Sequence, residues 1–232
     1  MKTKDDMTPY ILGDYDFATF APDMRVVDIG CGNGQQVQKL LQRGCRAIGI
    51  EPNRERLQRC VDLGLQVVAA HAEQLPLAGK TFDGVICKVV IPLTVETRAL
   101  REIARILKPD GIAQISYQGA GYYLRLLILG SGGWLKQRVY GLRTLINTWL
   151  FVLSGRVLPG FWGDTLYQSH RRLRRYYAEN RLILTRETPS KTFLRLPVFI
   201  YHAVQAAPSV LHHVMKPATK DRIPVEELSG VA

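Results

Sequence analysis

The stretch Val26-Val27-Asp28-Ile29-Gly30-Cys31-Gly32-Asn33-Gly34 decides how the rest of the chain is read. An apolar run ends in a carboxylate, and glycine then recurs at every second position. Val37, Leu40 and Leu41 follow at helical spacing. This pattern predicts a buried parallel strand that turns into a helix over a ligand. Glycine lets the backbone take positive φ and approach a ligand closely, and a helix N-terminus offers unpaired N–H groups. An ordinary strand-to-helix turn would show the same glycines, so the loop needs support from elsewhere.

That support comes from the charge beside the loop. A dinucleotide would bring its pyrophosphate here, where Asp28 would repel it. A ligand bearing an ammonium group would be attracted instead. Ala47-Ile48-Gly49-Ile50 is a second short apolar strand ending in Glu51, seventeen positions after Gly34. An acid at that place can accept both hydroxyls of a ribose, which alone leaves NAD open. Asp28 and Glu51 together favour S-adenosyl-L-methionine (SAM).

Four ordered stretches, VVDIGCGNG, GIEPN, AEQLPLAGKTFDGVIC and ALREIARILKPDG, resemble the class I SAM-dependent methyltransferases. The likeness is greatest to the group that holds ubiquinone/menaquinone-type and natural-product-tailoring enzymes, and it covers roughly residues 24–117. It implies an α/β fold: a Rossmann-like sheet with helices on both faces. It also implies a SAM contact set of Asp28, Gly30, Cys31, Gly32, Glu51, Pro52, His71, Ala72, Glu73 and Cys87, with S-adenosyl-L-homocysteine as product. His71-Ala72-Glu73 occupies the place where the family has an Asp-Ala pair at the adenine edge. Here a neutral imidazole nitrogen could accept one bond, or Glu73 could take that role. Asp83 is structural in the family. The end of the fourth strand, Cys87-Lys88, is expected to border the methionine portion and the acceptor. Lys88 there would touch an acidic acceptor or sit in solvent.

At 232 residues the chain suits one α/β domain with an inserted subdomain. Cys31, Cys45, Cys60 and Cys87 show neither Cys-x-x-Cys spacing nor a metal-ligand cluster, so reduced thiols in a cytoplasmic protein are expected and no metal is. The start, MKTKDDMTPY, lacks the apolar core of a signal peptide. The longest run free of Lys, Arg, Asp and Glu, Leu196–Met215, is broken by two prolines and three histidines, unlike a spanning helix.

The expected organisation is a SAM-binding core with an aromatic lead-in over 1–118, a helical cap over 119–167, the last helix and strands over 168–205, and a weakly ordered tail over 206–232. The lead-in either folds over the cofactor or is loosely attached. Helices are expected from Gly34 to about Gln42 with Gly44 as stop, and after Pro52-Asn53 with Leu57, Cys60 and Val61 inward. Gln66–Ala70 and Phe82–Cys87 read as strands. Thr94 reads as the cap of a helix whose inner face is Leu100, Ile103, Ala104 and Leu107. Lys108-Pro109-Asp110-Gly111 reads as the turn after it, and Ile112–Tyr117 as the fifth strand. The last helix is expected at Gln168–Asn180, with final strands at Arg181–Thr188 and Val198–Val204.

The cap carries the unusual chemistry. Residues 1–118 hold fifteen Lys/Arg against fourteen Asp/Glu, 119–181 hold ten against two, and 182–232 hold six against four. Leu135, Val139, Leu142, Ile146, Trp149 and Leu153 recur at helical steps, with Lys136, Tyr140, Arg143 and Asn147 opposite. Tyr122–Leu129 is a second apolar run. The stripe either packs on the protein's own core or lines a greasy acceptor tunnel or lies on a membrane. Arg171, Arg172, Arg174 and Arg175 add charge at the cap's exit.

Methyl transfer from a sulfonium needs alignment and a dry pocket more than acid–base chemistry. His170 and Tyr117 are candidate bases for a hydroxyl acceptor, Tyr117 also as an acceptor contact, each with a packing or surface role as the alternative. The expected function is methylation of a small-molecule acceptor, apolar or linked to a lipid or glycan, with peripheral contact to the inner face of a membrane through the cap. An RNA or protein methyltransferase is the second reading. The fourth strand's continuation, CKVVIPL, lacks the Asn/Asp-Pro-Pro-Tyr signature of amino-methylating nucleic-acid enzymes, which argues against nucleic acid as partner. A non-catalytic SAM-fold partner protein is the third.

Overall fold

The computed structural model describes residues 18–129, 134–154, 170–189 and 191–208, and of residues 134–137, 151, 152, 154 and 170 the backbone only. In chain order the strands are β1 (Arg25–Ile29), β2 (Arg46–Ile50), β3 (Val67–Val68), β4 (Phe82–Lys88), β5 (Leu107–Gln118), β6 (Leu182–Pro189), β7 (Thr192–Phe193), β8 (Leu196–Pro197) and β9 (Phe199–Ala206). The helices are α1 (Gln35–Gln42), α2 (Arg54–Asp62), α3 (Glu96–Ile106), α4 (Ala120–Leu129), α5 (Trp134–Ser154) and α6 (His170–Glu179). Seven strands form one sheet in the order β3-β2-β1-β4-β5-β9-β6, and β7 and β8 form a separate hairpin. The first five strands of the sheet in that order are parallel, and β9 runs antiparallel between β5 and β6.

Burial on both faces explains the apolar runs of the central strands. Val26 and Val27 are both fully buried, Val26 in a cluster with Val37, Leu40 and Cys60, and Val27 in one with Leu100, Ile103 and Leu173. Successive side chains of a strand point to opposite faces, so α1 and α2 cover one side and α3 and α6 the other. Residues 18–24 join the first of these clusters: Ala18 is buried, and Phe20 packs where a Cβ on Gly84 would come within 2.2 Å of its ring. Asp83 ties the strand starts together, accepting from the Arg25 N–H at 2.9 Å and the Lys108 ammonium at 2.6 Å.

Several local expectations are corrected. Val61 is 52% exposed, because only Cys60 of α2 is buried. β3 is two residues long rather than five. Thr94 does not cap α3: its hydroxyl donates to the Ile91 carbonyl at 2.8 Å, closing the 3₁₀ turn Ile91–Leu93. The N–H of Val95, the residue before α3, is instead taken by Glu73 Oε1 at 3.0 Å. Lys108–Gly111 is no separate turn but an irregular stretch within β5, where pairing with β4 slips between Phe82 and Gly84 and Asp110 takes φ 64°. Arg172 is not a surface charge: it is buried and reaches Glu96 Oε1 at 3.4 Å, joining α6 to α3. The expected cap helices are α4 and α5, with Leu135 and the stretch 155–169 lying outside the described side chains.

Candidate functional site

Three strand ends converge on the glycine loop. β1, β2 and β4 are in parallel register, so Ile29, Ile50 and Cys87 finish at the same edge of the sheet. The N–H groups of Gly30 and Cys31 both donate to the Ile50 carbonyl, at 2.8 and 3.0 Å, which lashes the loop to the end of β2. Gly30 has φ 72°, and a Cβ there would lie 2.3 Å from Val90 Cγ2. Only glycine fits against that valine. Gly32, at φ 58°, faces open space within 4 Å.

Glu51 is buried and organises the loop from below. Its Oε2 accepts from the Gly32 N–H at 2.9 Å and its Oε1 from the Asn53 N–H at 3.0 Å. Each carboxylate oxygen keeps accepting capacity for a hydroxyl. Asn53 in turn caps α2 through the Arg56 N–H at 3.0 Å. The helix α1 has no side-chain cap, so its first N–H groups stay available.

Asp28 differs from Glu51 in that no described residue donates to it. It is 3% exposed, and no hydrogen bond to its carboxylate is found among the described residues. Burial pushes its carboxyl up to about 7, the Lys88 ammonium pulls it partly back, and Glu51 raises it further. A buried carboxylate without a donor is costly unless a cation joins it. The site therefore suits a ligand with an ammonium beside a diol, which SAM provides. Asp28 would hold the ammonium, Glu51 the ribose hydroxyls and the loop N–H groups the remainder.

The other expected contacts are distributed around this centre. Pro52 and His71 are exposed, Ala72 is buried, and Glu73 is half-buried with one oxygen engaged at the start of α3. Cys31 and Cys87 are buried, and burial raises both thiols, Cys87 to about 12, so neither is a nucleophile at neutral pH. Lys88 is half-buried at the end of β4, close enough to Asp28 to act on its charge. Tyr117 is fully buried, its ring 5.2 Å from that of His202 and its hydroxyl without a hydrogen bond. His202 Nδ1 lies 2.9 Å from the Tyr177 hydroxyl in the same layer. The side chain of His170 lies outside the described residues.

Residues 27–115 match the family described as a methyltransferase domain. The chain is 27% identical over 133 residues to a ubiquinone biosynthesis O-methyltransferase of Parvibaculum lavamentivorans, covering 49% of this chain and 53% of that protein. It is 32% identical over 99 residues to a tRNA (carboxymethyluridine(34)-5-O)-methyltransferase of Arabidopsis thaliana, covering 41% and 24%. The chain thus spans from a quarter to about half of these relatives. A SAM-dependent methyltransferase of Methanosarcina mazei has the same fold, with TM-score 0.61, 18% identity and coverage of 82% and 95%. Residues 27–115 are a class I SAM-dependent methyltransferase domain.

Within the methyltransferase domain, two further features stand out, of which the sequence marks only the second. Val89 takes φ 55°, unusual for a β-branched residue, while its N–H donates to the Ser116 carbonyl at 3.0 Å. That backbone turn brings Val90 onto Gly30, and nothing in the sequence marks it. Gln36 is 5% exposed at the start of α1, with both amide atoms unpaired. Its spacing of four from Leu40 places it on the inner face, which was a legible signal.

A cleft of about 800 Å³ lies elsewhere, lined by Lys80, Arg101, Arg105, Arg174 and Arg181 over Leu107 and Leu182. Leu107 and Leu182 open β5 and β6, at the opposite end of the sheet from the glycine loop.

Proposed function

We propose that the chain methylates a small, apolar or lipid-linked acceptor. The observation that carries the donor half is the buried Asp28 carboxylate beside Glu51, to which no described residue donates. SAM, when bound, supplies an activated methyl group to an acceptor atom held in line with it. The protein's part is to fix and dry that arrangement. Asp28 and Glu51 anchor the two polar ends of the donor, and Lys88 borders the edge where the acceptor would enter.

The acceptor half is supported by the segment beyond β5. The chain passes from Gln118, at the cofactor edge of the sheet, directly into α4. Tyr122 packs against Phe199 with ring centres 5.7 Å apart, and Tyr123 against Tyr140 at 6.2 Å. The Tyr123 hydroxyl donates to Gln118 Oε1 at 2.9 Å. These ring contacts hold α4 against β9 and α5 beside the edge where an acceptor would enter, and aromatic surface there would suit a flat or greasy one.

An RNA acceptor is the second reading, favoured by the similarity to the plant tRNA enzyme and by the basic cleft. That cleft sits at the wrong end of the sheet to present a base to the methyl group. Incubation with methyl-labelled SAM and fractionated cell extract tests the proposal, with Glu51→Ala as control. Label in the lipid or small-molecule fraction, lost in the variant, is expected. Label in RNA or protein would replace the acceptor class, and SAM binding without any labelling would mark a non-catalytic role.

A further inference from the structure

The cap helix α5 packs in the reverse sense from a helix that serves a protein's own core. Its small and polar side is inward: Thr144 is fully buried and Asn147 is 3% exposed, with both Asn147 amide atoms unpaired. Its apolar stripe is outward: Val139, Leu142, Trp149 and Leu153 are 42%, 47%, 62% and 65% exposed. The end of α4 extends this surface, with Ile128 and Leu129 exposed. Arg138 donates to the Ile128 carbonyl at 2.9 Å and holds that end beside α5.

The exposed members lie on one face, because they are spaced three, seven and four apart on one helix, with the half-buried Ile146 filling the step between Leu142 and Trp149. Exposed apolar side chains grouped on one helix face mark an interaction face rather than ordinary scatter. Its surroundings favour one occupant. Residues 119–154 contain four cations, Arg125, Lys136, Arg138 and Arg143, and no acid. No helix among the described residues is long and apolar enough to cross a membrane. An apolar stripe with a tryptophan, in a segment that holds cations and no acid and forms no span, has the composition of a helix lying in the headgroup layer.

We propose that the outward face of α5, with the end of α4, docks on a bilayer of anionic phospholipid. The docked face places the acceptor edge of the site next to the membrane, since α4 leaves the sheet at that edge. The inference goes beyond the proposed activity and does not depend on the acceptor's identity.

The test is co-sedimentation of the full chain with vesicles of phosphatidylcholine alone and of equal parts phosphatidylcholine and phosphatidylglycerol, at low and moderate salt. Binding to the anionic vesicles, weakened by salt and weakened about tenfold or more by Trp149→Glu, is expected. The variant's SAM affinity and melting temperature report that its fold is intact, because Trp149 is mostly exposed. A chain that stays in the supernatant with both vesicles, or a Trp149→Glu variant that binds anionic vesicles as well as the parent, overturns the proposal. A lipid-independent dimer that Trp149→Glu dissociates, without vesicle binding, would assign the face to a second copy instead.

Discussion

Asp28 and Glu51 are two carboxylates at the same sheet edge with opposite local environments. Glu51 receives two backbone N–H groups, whereas Asp28 receives none from the described residues and is held by burial near the midpoint of its titration at neutral pH. Its folded value, about 7, lies above the ordinary 3.8, so the folded chain binds this proton more tightly than the unfolded chain. The stability Asp28 contributes is therefore fully present below pH 4 and lost as pH rises through 7. An incoming ammonium favours the ionised form and drives the proton off. SAM affinity measured by calorimetry should rise about fivefold from pH 6 to pH 7, with proton release visible in buffers of different ionisation heat. After β3, where the adenine edge is expected, His71 and Glu73 also differ, one exposed and one engaged. Glu73→Ala should lower stability by about 1 kcal/mol through loss of the Val95 N–H bond, seen in denaturant melts. His71→Ala, at an exposed site, should leave the melt unchanged and report only on SAM affinity.

At the scale of elements, what the sequence discloses depends on how local the cause is. Hydrophobic period and glycine position locate β1, α1, β2, α2, β4, α3 and the last strands, because burial on two faces leaves a mark in every run. The glycine loop and both acids are legible for the same reason. Three things are not. Glu73 supplies the bond at the head of α3 from 22 residues away, so the nearer Thr94 is the natural but mistaken choice. The burial of Arg172 depends on Glu96, 76 residues earlier, while its neighbours Arg171, Arg174 and Arg175 are exposed. The side of α5 that faces inward is decided by α4, whose backbone at Tyr123 approaches Gly141 within 2.9 Å of where a Cβ would lie. Periodicity reveals a stripe but not which way it points. Arg172→Ala should cost about 1–3 kcal/mol by removing a buried side chain together with its bond to Glu96, and Arg174→Ala less than about 0.5 kcal/mol, as urea melts of the two variants would report.

In the whole molecule, one sheet presents two unlike ends. The C-terminal ends of the parallel strands carry the acidic cofactor edge and lead into the cap, and the opposite end carries the basic cleft. The SAM site, and with it the proposed acceptor entry and membrane contact, belongs to the first end. The proposed function assigns the buried Asp28 to a cation. Asp28→Asn keeps the shape and removes the charge, so it separates folding from binding. One measurement joins both: SAM calorimetry on the parent and Asp28→Asn at pH 7.5, each with its melting temperature without ligand. The variant should melt higher, at about 2–4 °C per kcal/mol recovered, yet bind SAM at least about tenfold more weakly. Equal SAM affinity in the two proteins would contradict a cation-binding role for Asp28.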